Sequence, residues 1–86
     1  MICTRIDFSQ VRGRAALHRA VADALRFPDW YGANLDALWD LLSTLGEPVA
    51  LTLTGCAALD DYGVRALAVF LEAARENPRL RLTVEA

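Results

Sequence analysis

Stretches of continuous or alternating apolar residues are separated along this chain by stretches in which they recur every three or four positions. Ile2–Asp7 predicts a first strand, with Ile2, Ile6 and the following Phe8 apolar. A polar connection at 9–13 leads into a helical pattern that runs from 13 or 14 to 26. There Leu17, Ala20, Val21, Ala24 and Leu25 form the stripe, and His18, Arg19 and Asp23 lie away from its centre. His18, the one imidazole, is therefore expected at a surface position. Pro28 keeps Phe27 out of helical geometry, so this helix ends near Arg26. A second helix starts at Asn34 and ends near Thr44. Leu35, Leu38, Trp39 and Leu42 fall at i, i+3, i+4 and i+7 on its inner side, while Asp36 and Asp40 lie one turn apart on another. Trp39 marks the border between the two faces. Asn34 is a good N-cap, and Gly32 before it permits a backbone turn that a Cβ would hinder.

After Gly46 and Pro48, Val49–Thr54 is almost wholly apolar, the pattern of a strand covered on both faces. Asp60 or Asp61 can cap a third helix running to about Asn77, with Val64, Leu67, Phe70, Leu71 and Ala74 as its inner stripe. On its outer side Glu72 and Glu76 form a second like-charge pair, softened by Arg65 and Arg75. Asn77-Pro78 ends that helix. Leu80–Val84 alternates as a last strand. Strands separated by helix-length connections predict parallel pairing. The expected fold is one α/β domain over 1–86, a three-stranded parallel sheet packed with three or four helices.

Composition narrows the function classes. Hydrophobic residues make up 55% of the 86, which excludes a disordered chain. Net charge is −2, from eleven acids against nine arginines, with no lysine. The arginines crowd the first third and the acids follow, so no basic face of the kind a nucleic-acid binder needs is expected. Cys3 and Cys56 are too few for a disulfide framework; both are expected as free thiols, Cys3 the more buried. No metal-ligand spacing, signal peptide or bilayer-length apolar run is visible, so the expectation is a cytoplasmic protein without cofactor or metal.

Paired carboxylates can serve acid–base catalysis, and Asp36 with Asp40 or Glu72 with Glu76 are the candidates. They fall on outward helix faces, away from the apolar site that acid catalysis needs around one partner. Ser43 and His18 have no fixed geometry with an acid, and Gly32-Ala33-Asn34 lacks the lysine and further glycines of a phosphate loop. An enzyme is not expected. A recognition surface fits better, because Trp30, Tyr31 and Trp39 crowd the same short acidic stretch. Its natural partner is a basic cleft, since arginine forks accept carboxylate or phosphate alike.

The segment Pro28-Asp29-Trp30-Tyr31-Gly32-Ala33-Asn34-Leu35-Asp36-Ala37-Leu38-Trp39-Asp40 resembles the signature segment of the barstar family, protein inhibitors of the ribonuclease barnase. The resemblance extends to the first strand, Leu17-His18, Pro48 and Phe70 to Glu76. It implies a barstar-like fold and a cytoplasmic inhibitor, monomeric when free, whose partner is a barnase-like ribonuclease. It implies that Asp40 takes the place of the catalytic phosphate and that Asp36 faces a guanine-site arginine. Asn34, Trp39, Glu72 and Glu76 match further interface positions. Trp30 stands where the family has a tyrosine that packs on the enzyme's histidine. Leu45 in place of an interface tryptophan, and Ala33 in place of an acid, depart from the pattern. Leu45 motivates a second expectation, an interaction module of the same fold with a non-nuclease partner. Direct binding to nucleic acid or membrane is not expected.

Overall fold

A computed structural model describes every residue from Met1 to Ala86. Strands β1 (Ile2–Asp7), β2 (Val49–Thr54) and β3 (Leu80–Val84) pair in parallel in the order β1-β2-β3. The register places Ile6 beside Leu53 and Val49 beside Leu80. Side chains alternate across a strand, so Ile6, Val49, Leu51, Leu53 and Leu80 share one buried face. Helices α1 (Gly13–Leu25), α2 (Leu35–Ser43) and α3 (Asp61–Glu76), with a single 3₁₀ turn at Cys56–Ala58, complete the fold. The three-stranded parallel α/β fold is as the sequence predicted.

The helices lie on one side of the sheet. Parallel crossovers are right-handed; in a sheet ordered 1-2-3, both then pass over the same face. The expectation that β2 is covered on both sides is corrected accordingly. Val49, Leu51 and Leu53 are buried, whereas Ala50, Thr52 and Thr54 between them are only half-buried. Cys3, Arg5, Arg81 and Thr83 flank them on the uncovered face. This parity also reverses the expected order of the cysteines. Cys3 points outward and is exposed; Cys56, in the 3₁₀ turn, is half-buried, and burial raises its thiol pKa. Both are free thiols.

α3 is turned from its expected stripe. Gly63, Ala66, Phe70 and Ala73 face the core, while Val64 (57% exposed) and Leu71 (45%) face water. Of the expected set, only Phe70 is fully buried. Small residues let the helix approach closely. A Cβ on Gly63 would stand 2.6 Å from Leu59 Cδ2, so the space a bulkier face would need is already filled.

Capping fixes where the helices start. Asn34 Oδ1 accepts from the Ala37 N–H at 2.7 Å and starts α2. Asp60 does this twice. Its Oδ1 accepts from the Gly63 N–H at 2.8 Å, and its Oδ2 accepts from the Gly13 N–H at 2.9 Å. One carboxylate thus satisfies the first turns of α3 and α1, two places where backbone donors lack partners. These backbone hydrogen bonds hold the Asp60 carboxyl below its ordinary value. At the far end of α3, buried Asn77 donates from Nδ2 to the Leu42 carbonyl at 2.9 Å and accepts from the Arg79 N–H at 3.0 Å. The ends of α2 and α3 are tied together by that amide.

Candidate functional site

α2 is short, and its nine residues decide what each acid experiences. Asp36 lies in the first turn, where the helix dipole favours a negative charge. Asp40 lies in the last turn, where the dipole opposes it, and it is one turn from Asp36. Both are exposed, and neither has a cation within salt-bridge distance, because the molecule's one ion pair joins Arg5 and Glu85 at 4.0 Å. The Asp40 carbonyl is firmly held. It accepts from the Thr44 hydroxyl at 2.6 Å and from the Ser43 hydroxyl at 3.3 Å. The end of the helix is fixed while the Asp40 carboxylate remains unpartnered.

α2 packs along α3. Trp39, half-buried at the border of the inner stripe as expected, meets Glu72, Arg75 and Glu76 in a shallow depression of about 240 Å³. Glu72 and Glu76 are exposed and form no ion pair. The expected softening by arginines takes another form. Arg65 lies over the Tyr62 ring, 5.7 Å from its centroid, and Arg75 shares the depression without reaching either glutamate to within 4.0 Å.

The structure brings Trp39, Glu72 and Glu76 together and puts Asp36 and Asp40 on the same short helix as Trp39. Trp30 stands apart from that depression, on the loop before α2, and is 75% exposed. Asn34 lies between the two groups. Its amide is committed to the backbone: Oδ1 caps α2 and Nδ2 donates to the Gly32 carbonyl at 3.3 Å. The residue that adopts the left-handed backbone of this loop is Ala33, at φ +51°, rather than Gly32. Arg14 Nε donates to the Ala33 carbonyl at 3.1 Å and holds that turn.

His18 overturns its expected surface position. It is 2% exposed, with Nδ1 2.5 Å from the Tyr31 hydroxyl and Nε2 2.6 Å from the Tyr62 hydroxyl. The signal was in the spacing, because His18 precedes Val21 by three and Leu25 by seven and so belongs to their face. Burial, and behind it the charge of Arg14, lowers its pKa. Burial and the neighbouring Tyr62 raise Tyr31 to about 12. At neutral pH the imidazole and the Tyr31 hydroxyl are therefore uncharged. No cluster of three or more His, Cys, Asp or Glu side chains is arranged to hold a metal. No helix is long and apolar enough to cross a membrane.

A stretch of 37 residues is 51% identical to a protein of Bacillus subtilis (strain 168) named "Putative ribonuclease inhibitor YrdF". That stretch covers 43% of this chain and 37% of the length of that protein. Across residues 1–85 the chain matches the family model described as "Barstar (barnase inhibitor)". With its parallel sheet, its capped acidic helix and a match over nearly its whole length, the chain belongs to the barstar family.

Proposed function

We propose that this chain is a protein inhibitor of a barnase-like ribonuclease, and that it closes the enzyme's RNA cleft with the acids of α2 and α3. The observation that carries this reading is the placement of Asp36, Asp40, Glu72 and Glu76, all exposed and without a cation partner, on two helices packed against each other beside Trp39. Asp40 opposes both the helix dipole and Asp36, so it weakens the free protein slightly. A carboxylate kept at such a position makes sense if a positive group arrives from outside. An RNA-cleaving cleft offers arginines spaced for phosphates, and fork-shaped guanidinium groups bind carboxylates in the same bidentate way.

In this reading Asp40 occupies the place of the reacting phosphate and Asp36 meets a neighbouring arginine. Glu72 and Glu76 extend the acidic face beside Trp39, and Trp30 covers the enzyme's catalytic side chain from the loop. Asn34 contributes by fixing the start of α2. The inhibitor acts in the cytoplasm, protecting the cell that makes the nuclease, and is no enzyme itself. Opposite charges across the interface speed encounter, so association slows as salt rises.

The test is titration of the chain against a microbial guanyl-preferring ribonuclease, with RNA cleavage as the readout. Stoichiometric loss of cleavage at low salt is expected. Full cleavage at micromolar inhibitor overturns the reading for that enzyme class. A non-nuclease partner is the second reading, and Leu45 favours it. Its side chain packs against the core and so gives the face none of the broad aromatic contact the family has there. Recovery of a non-nuclease partner by pull-down, with ribonuclease activity untouched, would select it.

A further inference from the structure

The loop at 27–33 carries Trp30 but offers that side chain little support. None of the molecule's close ring pairs includes Trp30. Its neighbour Tyr31 is the anchored residue. The Tyr31 N–H donates to the Pro28 carbonyl at 2.9 Å, its ring lies 4.9 Å from that of Phe27, and its hydroxyl reaches His18. The opposite side of the same imidazole meets Tyr62 of α3. One chain of three side chains therefore links α3, α1 and the loop. We propose that His18 and Tyr62 are positioning residues that hold the 27–33 loop, and with it Trp30, in its outward place. The proposal rests on the reading of this loop as part of the partner-binding face.

Geometry makes the chain suited to that task. Adjacent Cα atoms are about 3.8 Å apart, so a fixed Tyr31 sets where the Trp30 side chain begins. The imidazole is held at both ring nitrogens, which leaves its plane no freedom and gives the Tyr31 hydroxyl one place to bind. A hydroxyl can donate or accept, so either neutral tautomer of His18 satisfies both tyrosines. Further along, the loop is pinned at Ala33 by Arg14 and at Asn34 by the α2 cap. Tyr31 supplies the grip in the middle. Tyr31 is the side chain between Phe27 and Ala33 that hydrogen-bonds to another element.

Tyr62→Phe in the full chain tests this, because it keeps the ring and removes the hydroxyl. Val49→Ala, a buried β2 substitution away from the loop, serves as the control for simple loss of stability. Amide hydrogen exchange is read in the free protein. In Tyr62→Phe the Tyr31 amide is expected to exchange about tenfold faster than in the parent, the equivalent of one net hydrogen bond of local stability. Val49→Ala should raise exchange throughout without singling out the loop. On a barnase-like ribonuclease, Tyr62→Phe should hasten dissociation several-fold and leave association unchanged. That effect should vanish in a Trp30→Ala background, as a double-mutant cycle requires when one residue acts through another. Unchanged loop exchange in Tyr62→Phe overturns the proposal. Faster dissociation that persists in Trp30→Ala overturns the role assigned through Trp30. Loop-selective exchange in Tyr62→Phe, combined with a parent chain that fails to inhibit the ribonuclease, supports the holding chain and counts against the proposed function alone.

Discussion

Asn77 and Asp40 are both polar side chains near the joint between α2 and α3, and they are used in opposite ways. Asn77 is 7% exposed, and both ends of its amide are bonded, one of them to the carbonyl of Leu42. Asp40, two residues before Leu42, is exposed with no cation beside it. The same contrast separates His18 and Asp60 from Asp36, Glu72 and Glu76. The first group spans elements distant in sequence, and every bond it makes is internal. The second group stands on the outward sides of two helices and forms no ion pairs. Internal partnering marks the residues that hold the fold. The charges of the second group meet only solvent in the free chain, as the proposed partner-binding role requires.

Substitution at Asp40 separates the two classes most widely. Asp40→Ala should weaken binding to a barnase-like ribonuclease by about 2–5 kcal/mol, a general range for one end of a buried charge pair to which the barnase–barstar complex itself contributed. Calorimetry of binding together with a urea melt of the free chain would show whether the loss is confined to affinity. If Asp40→Ala bound as tightly as the parent, Asp40 would move to the group of inert surface acids. Asn77→Ala should do the reverse. It leaves the Leu42 carbonyl without its donor and should lower folding stability by about 2–3 kcal/mol, with affinity unchanged at a temperature where the variant is folded.

The next effect is a pH dependence. The folded chain holds the His18 pKa below its ordinary value of 6.5, so the unfolded chain binds the proton more readily. Stability should be complete above about pH 6.5 and should decline as pH falls from there toward the lowered folded value. Asp7 and Asp60 are held below 3.8 by hydrogen bonds from neighbouring N–H groups, and they add a separate loss only in stronger acid. His18→Gln should flatten the first decline and leave the second. Urea midpoints that stay constant from pH 7.5 to 5 in the parent would contradict a buried neutral imidazole. The smallest effect sharpens the comparison inside α2. Asp40→Asn should raise stability by a few tenths of a kcal/mol, because it relieves both the dipole and Asp36. Asp36→Asn loses a favourable dipole position while relieving the same repulsion, and should change little. Both differences should shrink in high salt.

Element boundaries and the parallel α/β arrangement were legible in the sequence because each rests on local chemistry. Asn34 capping α2, Pro28 after α1 and Asn77-Pro78 after α3 all act within a few residues. The acidic pairs are legible for the same reason, since helical spacing alone places them. What escaped depends on contacts between distant segments. Periodicity favours bulky residues and so points Val64 and Leu71 at the core that Gly63 and Ala66 in fact face. Leu59 decides this by filling the space beside Gly63. The polarity of His18 points it to the surface although its spacing matches Val21 and Leu25; hydrogen bonds to Tyr31 and Tyr62 offset the cost of burying it. Cys3, in a strand, is expected to be more buried than Cys56, in a loop, but the crossovers cover only one face of that strand and Cys3 lies on the other.

That uncovered face has a practical consequence. Cys3 projects from it, on the side of the sheet away from the acidic helices, whereas Cys56 is half-buried with its thiol harder to ionise. A thiol-reactive dye or surface linker applied at neutral pH should attach chiefly at Cys3. The chain could then be immobilised in one orientation, with α2 and α3 presented to solution, and no residue need be added or removed.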